Sequence, residues 1–141
     1  TLSEIIALAV LMPIVASMGG TAGNQTLAIV IRGLALGQVG RANAKILISR
    51  ELRIGAINSL LWSSVIGVVT YIWFNDLRIA YVISIAMAIN FLVAALAGSA
   101  LPLILKRLGA DPALSGSVLL IAITDVVGYF VFLGLASYFY I

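Results

Sequence analysis

The chain consists of long apolar runs separated by short polar connections. Four of these runs are each long enough to cross the roughly 30 Å hydrocarbon core of a bilayer as a helix. They lie at about residues 4–31, 54–74, 79–105 and 113–140. We therefore predict an all-α integral membrane fold, in which residues 1–141 form a single transmembrane domain with four spanning helices.

The composition is typical of a membrane protein and excludes several kinds of binding site. Hydrophobic residues make up 63% of the chain and charged residues 9%, whereas a soluble domain is about a quarter charged. The chain contains no Cys and no His, which excludes disulfides and the usual zinc and haem ligands. The basic residues behind the net charge of +3 lie beside apolar runs, so the charge indicates membrane topology and we predict no nucleic-acid partner.

The first connection has a pattern of its own. Basic residues there are interleaved with apolar residues at near-helical spacing, which is typical of a helix lying in the headgroup layer. We predict an amphipathic interfacial helix at about residues 38–53, with a solvated linker as the alternative. Its basic residues are Arg41, Lys45, Arg50 and Arg53.

The distribution of Lys and Arg predicts the orientation. Segments 37–53 and 106–112 together hold six basic residues, whereas the connection between them holds only Arg78. The excess places both segments in the cytoplasm and both ends of the chain outside, in the cell (inner) membrane. An outside N-terminus without a signal peptide then predicts an earlier span and an odd number of spans in the intact protein.

Asp125 is the only acidic side chain deep within an apolar run. A carboxylate at that depth costs roughly 2.5 to 3.5 kcal/mol on insertion scales, and a bound cation would offset this cost. Spacings of three and four residues place Ser117, Ile121 and Gly128 on the same helix face, a composition suited to an ion path. Two alternatives stay open, a hydrogen-bonded structural carboxyl and a proton relay.

The first run contains a segment that is unusual for a lipid-facing helix. Residues 18–26 include three glycines, an Asn, a Gln and two Thr. Glycine carbonyls and the side-chain oxygens of Asn24 and Gln25 are hard ligands of the kind that a hydrated Mg²⁺ prefers. We predict that Thr21, Gly23 and Gln25 line the ion path. The alternative is a close helix–helix interface with Asn24 bonded across it.

Other polar positions carry weaker signals. Asn58 and Asn90 are best interpreted as interhelical contacts, and Asn90 is a less favoured candidate for ion contact. Asp125 has no second catalytic group beside it, such as another Asp, a His or a mid-span Lys. We therefore predict that the protein is not an enzyme and has no organic cofactor.

A single chain supplies only one mid-span carboxylate. Two identical chains around a two-fold axis, the commonest symmetry of homo-oligomers, would bring two Asp125 side chains face to face. Their two negative charges match one divalent cation. Such a homodimer in the lipid bilayer would therefore suit the passage of a divalent cation.

Two groups of motifs resemble a known family. Pro13 with residues 18–26 and 31–35 resembles the second transmembrane helix of MgtE-type magnesium channels. Residues 101–113 resemble that family's fourth-helix end and following turn, and residues 124–128 resemble its fifth helix. The resemblance covers essentially the whole chain, with the motifs in the family's order.

The resemblance implies a homodimer of five-span subunits with the ion path between the second and fifth helices at the dimer interface. It implies that Asp125 is the main ion-binding carboxylate, acting through the ion's waters. Gly20 would contribute a carbonyl, Asn24 a side-chain amide, and the turn from Ser117 to Ile121 further oxygens. It also implies a cytosolic regulatory domain in the full-length chain.

Two transport mechanisms follow from these residues. The favoured hypothesis is a passive channel that conducts Mg²⁺ into the cytoplasm through a pore at the homodimer interface. The alternative is a Na⁺- or H⁺-coupled divalent-cation carrier that uses the same intramembrane carboxylates. Dependence of the flux on pH or Na⁺ separates the two.

Overall fold

Four long helices make up the fold. The computed structural model describes residues 2–40 and 42–140, so Arg41 lies outside the described residues. The helices are α1 (Leu2–Ala35), α2 (Ala44–Phe74), α3 (Leu77–Arg107) and α4 (Pro112–Tyr140). All four are long and apolar enough to cross a membrane. The prediction of four spanning helices is confirmed to this extent, and the chain is a multi-pass membrane segment.

In each of the three connections, a residue with left-handed backbone angles follows the end of the preceding helix. Gly37 and Gly109 take left-handed backbone angles just beyond α1 and α3, with φ of 72° and 80°, a conformation that glycine adopts without penalty. Asn75 does the same after α2, with φ of 51°. Asp76 then caps α3, because its side chain accepts a hydrogen bond from the Arg78 N–H at 2.9 Å.

The structure differs from the sequence prediction at residues 38–53. They do not form a separate interfacial helix, because α2 begins at Ala44 and continues without a break to Phe74. No Gly or Pro lies between residues 44 and 54 to end the helix there. The 31 residues of α2 span about 47 Å, so the basic first turns extend beyond a core of about 30 Å.

α3 is the central helix. It packs against each of the other three helices, and α1 also packs along α4, whereas α2 contacts α1 only slightly. Buried side chains from α1, α3 and α4 form the core in the half of the bundle away from the basic end, and Val15, Ile83 and Phe132 are among its fully buried members. This core fixes α1 and α4 side by side on one flank of α3.

The α2–α3 interface is built from small residues. Gly55, Ser59, Ser63 and Gly67 of α2 are buried at four-residue spacing. Ser59 Oγ donates to the Ala88 carbonyl at 3.3 Å. Close approach of small residues and weak interhelical hydrogen bonds are the usual means of packing helices within lipid.

A polar clasp joins the α2–α3 turn to the end of α4. Tyr140 donates its hydroxyl to Asp76 Oδ2 at 3.1 Å, and the Arg78 guanidinium lies 4.4 Å from the centre of the Tyr140 ring. We expect Tyr140→Phe to lower the free energy of unfolding by about 1 kcal/mol, because it removes one hydrogen bond to a charged group at a partly solvated site. Thermal unfolding in detergent measures this loss.

Tyr138→Phe is the matched control for the clasp. Tyr138 is 80% exposed and packs edge-on against Phe139 through its ring, a contact that loss of the hydroxyl leaves in place. Equal melting temperatures for the two variants would contradict a stabilising role for the Tyr140–Asp76 hydrogen bond.

Candidate ion-binding face

α1 and α4 lie antiparallel and approach closely along their small residues. A Cβ added at Gly20 would lie 3.6 Å from Thr124 Oγ1, and one added at Gly23 would lie 2.9 Å from the Leu120 side chain. Further along, a Cβ at Gly128 would lie 3.3 Å from the Cα of Ala16. These glycines therefore allow the close spacing of α1 and α4, the two helices that contain the predicted ion ligands.

The inward-facing stripe of α4 is distinct from the stripe that carries Asp125. Its buried members are Gly116, Leu120, Thr124, Gly128, Phe132 and Ala136. Ser117 and Asp125 are half-buried on the adjoining stripe, and Ile121 between them is 42% exposed. The structure thus brings Ser117, Ile121 and Asp125 together at the edge of the α1–α4 interface, while it places Gly128 inside the bundle.

A hydrogen bond joins the two helices at this edge. Ser117 Oγ donates to Asn24 Oδ1 at 3.1 Å. Two of the residues predicted as ion ligands, one from each helix, are therefore adjacent. Asn24 is also bonded across the interface, as the packing alternative expected. Asn24 Oδ1 keeps a second lone pair for another donor or for an ion.

The remaining α1 residues divide between the edge and the interior. Thr21 and Gln25 are exposed beside the half-buried Asn24, whereas Gly20 and Gly23 are buried. Thr21 Oγ1 donates to the Ser17 carbonyl at 3.0 Å. Because α1 is helical throughout Leu2–Ala35, the carbonyls of the glycine segment lie within the helical hydrogen-bond ladder and are not exposed by unwinding.

Asp125 stands near the middle of the 29-residue α4. Neither a hydrogen bond nor an ion pair joins it to any side chain or backbone group in ranges 2–40 and 42–140. If Asp125 were a hydrogen-bonded structural carboxyl, its partner would therefore have to lie outside these residues. No three His, Cys, Asp or Glu side chains of the described chain lie together as a metal cluster, and Asp125 is the one acid within the apolar part of α4.

Thr124 supports the backbone beside Asp125. It is fully buried, and its hydroxyl donates to the carbonyls of Leu120 and Ile121 at 3.0 and 3.1 Å. The carbonyl of Ile121, predicted as an ion ligand, therefore already accepts a side-chain hydrogen bond. Sequence reasoning noted Thr124 only as part of a motif, although its four-residue spacing from Leu120 and Gly128 marks the inward stripe.

Asn90 lies behind the α1–α4 interface at the centre of the bundle. It is fully buried, and its Nδ2 donates to the Val15 carbonyl at 3.0 Å, which confirms the predicted interhelical contact. Its Oδ1 has no hydrogen-bond partner in the described chain. Asn58 is exposed on α2, so the same prediction is wrong for that residue within the described chain.

Sequence comparison assigns the chain to a family. A family model described as a divalent cation transporter, MgtE, matches residues 12–135, which include every candidate ligand from Gly20 to Gly128. The chain belongs to the MgtE family. MgtE proteins are transporters by this description, in agreement with the prediction that the chain is not an enzyme.

Individual MgtE relatives agree with the family match. The chain is 30% identical over 138 residues to the magnesium transporter MgtE of Bacillus subtilis, covering 98% of this chain and 31% of the relative. It is 31% identical over 137 residues to the magnesium transporter MgtE of Enterococcus faecalis, covering 97% and 30%. For the magnesium transporter MgtE of Thermus thermophilus the identity is 30% over 135 residues, covering 96% and 30%. The chain thus spans about a third of the length of these relatives.

Proposed function

We propose that this chain forms the ion-conducting part of a magnesium channel, with the path along the edge where α1 meets α4. The proposal rests on the half-buried Asp125 carboxylate in the middle of α4. This carboxylate forms no hydrogen bond or ion pair with any described residue. A charge at that depth is stabilised when a cation or water-filled path faces it. The three relatives named as magnesium transporters support Mg²⁺ as the ion.

The ligand chemistry of the edge suits a hydrated divalent cation. Mg²⁺ keeps several of its waters and takes one or two carboxylates rather than a complete protein cage. One Asp125 carboxylate, the Asn24 amide and the Ser117 hydroxyl supply oxygens that can accept from or orient such waters. The carbonyls of Gly20 and Ile121 are secondary in this proposal, because both belong to continuous helices.

The proposal includes a homodimer. Thr21 and Gln25 are exposed on α1, on either side of Asn24 in the sequence, and polar groups facing hydrocarbon are costly. A second copy around a two-fold axis would cover this edge and place two carboxylates around one Mg²⁺ ion. The path would then lie between α1 and α4 of the two subunits.

The direction of transport follows from electrostatics. A membrane potential acts on each elementary charge with about 2.3 kcal/mol per 100 mV, so a divalent ion experiences about twice that. A negative cell interior therefore drives Mg²⁺ inward without a coupled ion. A cytosolic regulatory domain in the full-length protein stays a prediction from the family resemblance.

A coupled carrier is the alternative function at the same residues. It would exchange Mg²⁺ for Na⁺ or H⁺ at Asp125, so flux would change with the Na⁺ gradient or with pH. A passive channel instead gives flux that follows the Mg²⁺ gradient and the membrane potential alone. Uptake into liposomes with each gradient imposed separately distinguishes the two functions.

Cysteine substitution tests the position of the path, and the absence of native Cys removes any background reaction. We expect a membrane-impermeant cationic thiol reagent to modify Gln25→Cys and to reduce Mg²⁺ uptake at least about tenfold, since the side chain is exposed at the proposed path. High external Mg²⁺ should slow the modification, because the ion and the reagent compete for the same space.

Leu60→Cys provides the matched control for accessibility. Leu60 is 73% exposed near the middle of α2. Because α2 contacts α1 only slightly, we expect Leu60 to face lipid away from the proposed path. The reagent should leave this variant unmodified and its uptake unchanged. Modification of Leu60→Cys but not of Gln25→Cys would overturn the proposed location of the path.

A further inference from the structure

A cavity of about 620 Å³ opens at the basic end of the bundle. It lies between the end of α1, the start of α2 and the end of α3. Its volume falls within the roughly 300 to 1,000 Å³ of small-molecule sites in proteins. The cavity is separate from the Asp125 edge, and none of the candidate ion ligands lines it.

Among the described residues, two basic side chains line this cavity. Lys106 and Arg107 are consecutive residues in the last turn of α3, and both are exposed. No ion pair joins either of them to a carboxylate of the chain over its described ranges. The nearest acid in sequence is Asp111, whose Oδ1 accepts a hydrogen bond from the Ala113 N–H at 3.0 Å. Within the described ranges, neither of these two cations is therefore held in an ion pair.

The rest of the lining is apolar. Leu34 from α1, Ile48 from α2 and Leu103 from α3 form walls of the cavity. Ile104, which also lines it, is 50% exposed, and Leu108 just beyond α3 is 76% exposed. An anion that binds here thus has apolar side chains next to it inside the cavity.

We propose that this cavity binds one anionic phospholipid, with the phosphate at Lys106 and Arg107 and an acyl chain along the apolar wall toward Ile104. Basic pockets between transmembrane helices are suited to phospholipid headgroups. Arginine offers a planar fork of donors to phosphate, and lysine adds a compact charge. A free phosphate would satisfy the cations but would leave the adjoining apolar surface uncovered, so the combination favours a lipid.

Two other roles compete for the same basic pair. Lys106 and Arg107 stabilise the C-terminal end of α3 through the helix dipole, and together with other basic residues of this end they attract any anionic surface without a defined site. Neither role depends on the cavity. A specific site therefore differs from both in requiring the cavity as well as the two charges.

Native mass spectrometry of the full-length protein in neutral detergent tests the proposal. The added probes are phosphatidylglycerol, phosphatidylcholine and glycerol phosphate, each at the same concentration. We expect the parent protein to retain phosphatidylglycerol and to retain little of the other two. Lys106→Gln combined with Arg107→Gln should reduce that retention about tenfold or more.

Arg50→Gln combined with Arg53→Gln is the charge-matched control. Both arginines are exposed on the first turns of α2 and do not line the cavity, so retention should stay within about twofold of the parent. A third variant, Leu103→Trp, fills the cavity and keeps both charges, and it should also lose the lipid. Melting temperatures in lipid-free detergent show whether each variant is folded.

The outcomes separate the possible sources of binding. Equal losses in the two charge variants, or full retention in Leu103→Trp, would overturn the defined site in favour of diffuse attraction. Retention of glycerol phosphate as strong as that of phosphatidylglycerol would show a phosphate site without lipid specificity and would overturn the lipid proposal.

Discussion

Replacing Asp125 with asparagine is expected to lower the initial rate of Mg²⁺ uptake about 100-fold or more. Asparagine has nearly the same shape as aspartate but lacks the charge that offsets the dehydration of a divalent ion. Leaving a buried charge without its counter-charge typically costs 2 to 5 kcal/mol, and about 2.7 kcal/mol corresponds to 100-fold. Uptake into liposomes, measured with a Mg²⁺-sensitive dye at equal protein content, gives the rate.

Asp111→Asn is the matched control for this measurement. Asp111 lies in the connection before α4, and its Oδ1 accepts a backbone hydrogen bond that an asparagine oxygen can also accept. We expect uptake close to that of the parent. Asp125→Glu keeps the charge and should retain part of the uptake. Unchanged uptake in Asp125→Asn, with the protein folded and dimeric, would contradict the proposed ion path.

Substitution of Gly19 by alanine is expected to destabilise the bundle by about 1 to 3 kcal/mol, the usual cost of overpacking a core. A Cβ at Gly19 would collide with the Asn90 amide nitrogen. Asn90 is fully buried and already hydrogen-bonded to Val15, and Gly128 closes its other side. Its amide thus has little room to retreat. Thermal unfolding in detergent measures the loss.

Gly134→Ala is the control for an added methyl group on a helix. A Cβ at Gly134 would meet no atom within 4 Å, so its expected effect is neutral or slightly stabilising through helix propensity.

A double-mutant cycle identifies the collision. Asn90→Ala should recover part of the stability lost in Gly19→Ala, giving a coupling of about 0.5 to 3 kcal/mol. Strictly additive effects of the two substitutions would contradict direct contact between Gly19 and Asn90.

The sequence was sufficient to predict the helices, because a span is defined by its own length and hydropathy. It is insufficient at residues 38–53, where the basic residues predict a separate interfacial helix and the structure has the start of α2. Hydropathy reports the environment of a segment, and it does not report whether the backbone bends there. α2 passes straight from the basic turns into its apolar part.

The candidate site was predictable to a similar degree. Asp125 is identifiable as a candidate from its depth in an apolar run, and the hydrogen bond between Ser117 and Asn24 is compatible with an ion site and with the packing alternative. The rotation of α4 was harder to predict. By its spacing, Gly128 could belong to the stripe of Asp125 or to the buried stripe beside it. Its close approach to Ala16 and Asn90 places it in the interior. Such contacts depend on residues far away in sequence.

The antiparallel packing of α1 against α4 has a consequence for biosynthesis. Asn24 and Ser117, which bond across this interface, are 93 positions apart. At about 5 to 20 residues per second, several seconds separate their emergence from the ribosome. Within this segment, α1, α2 and α3 are synthesised before Asp125. The mid-membrane carboxylate of this segment therefore reaches the bilayer only when α4 inserts.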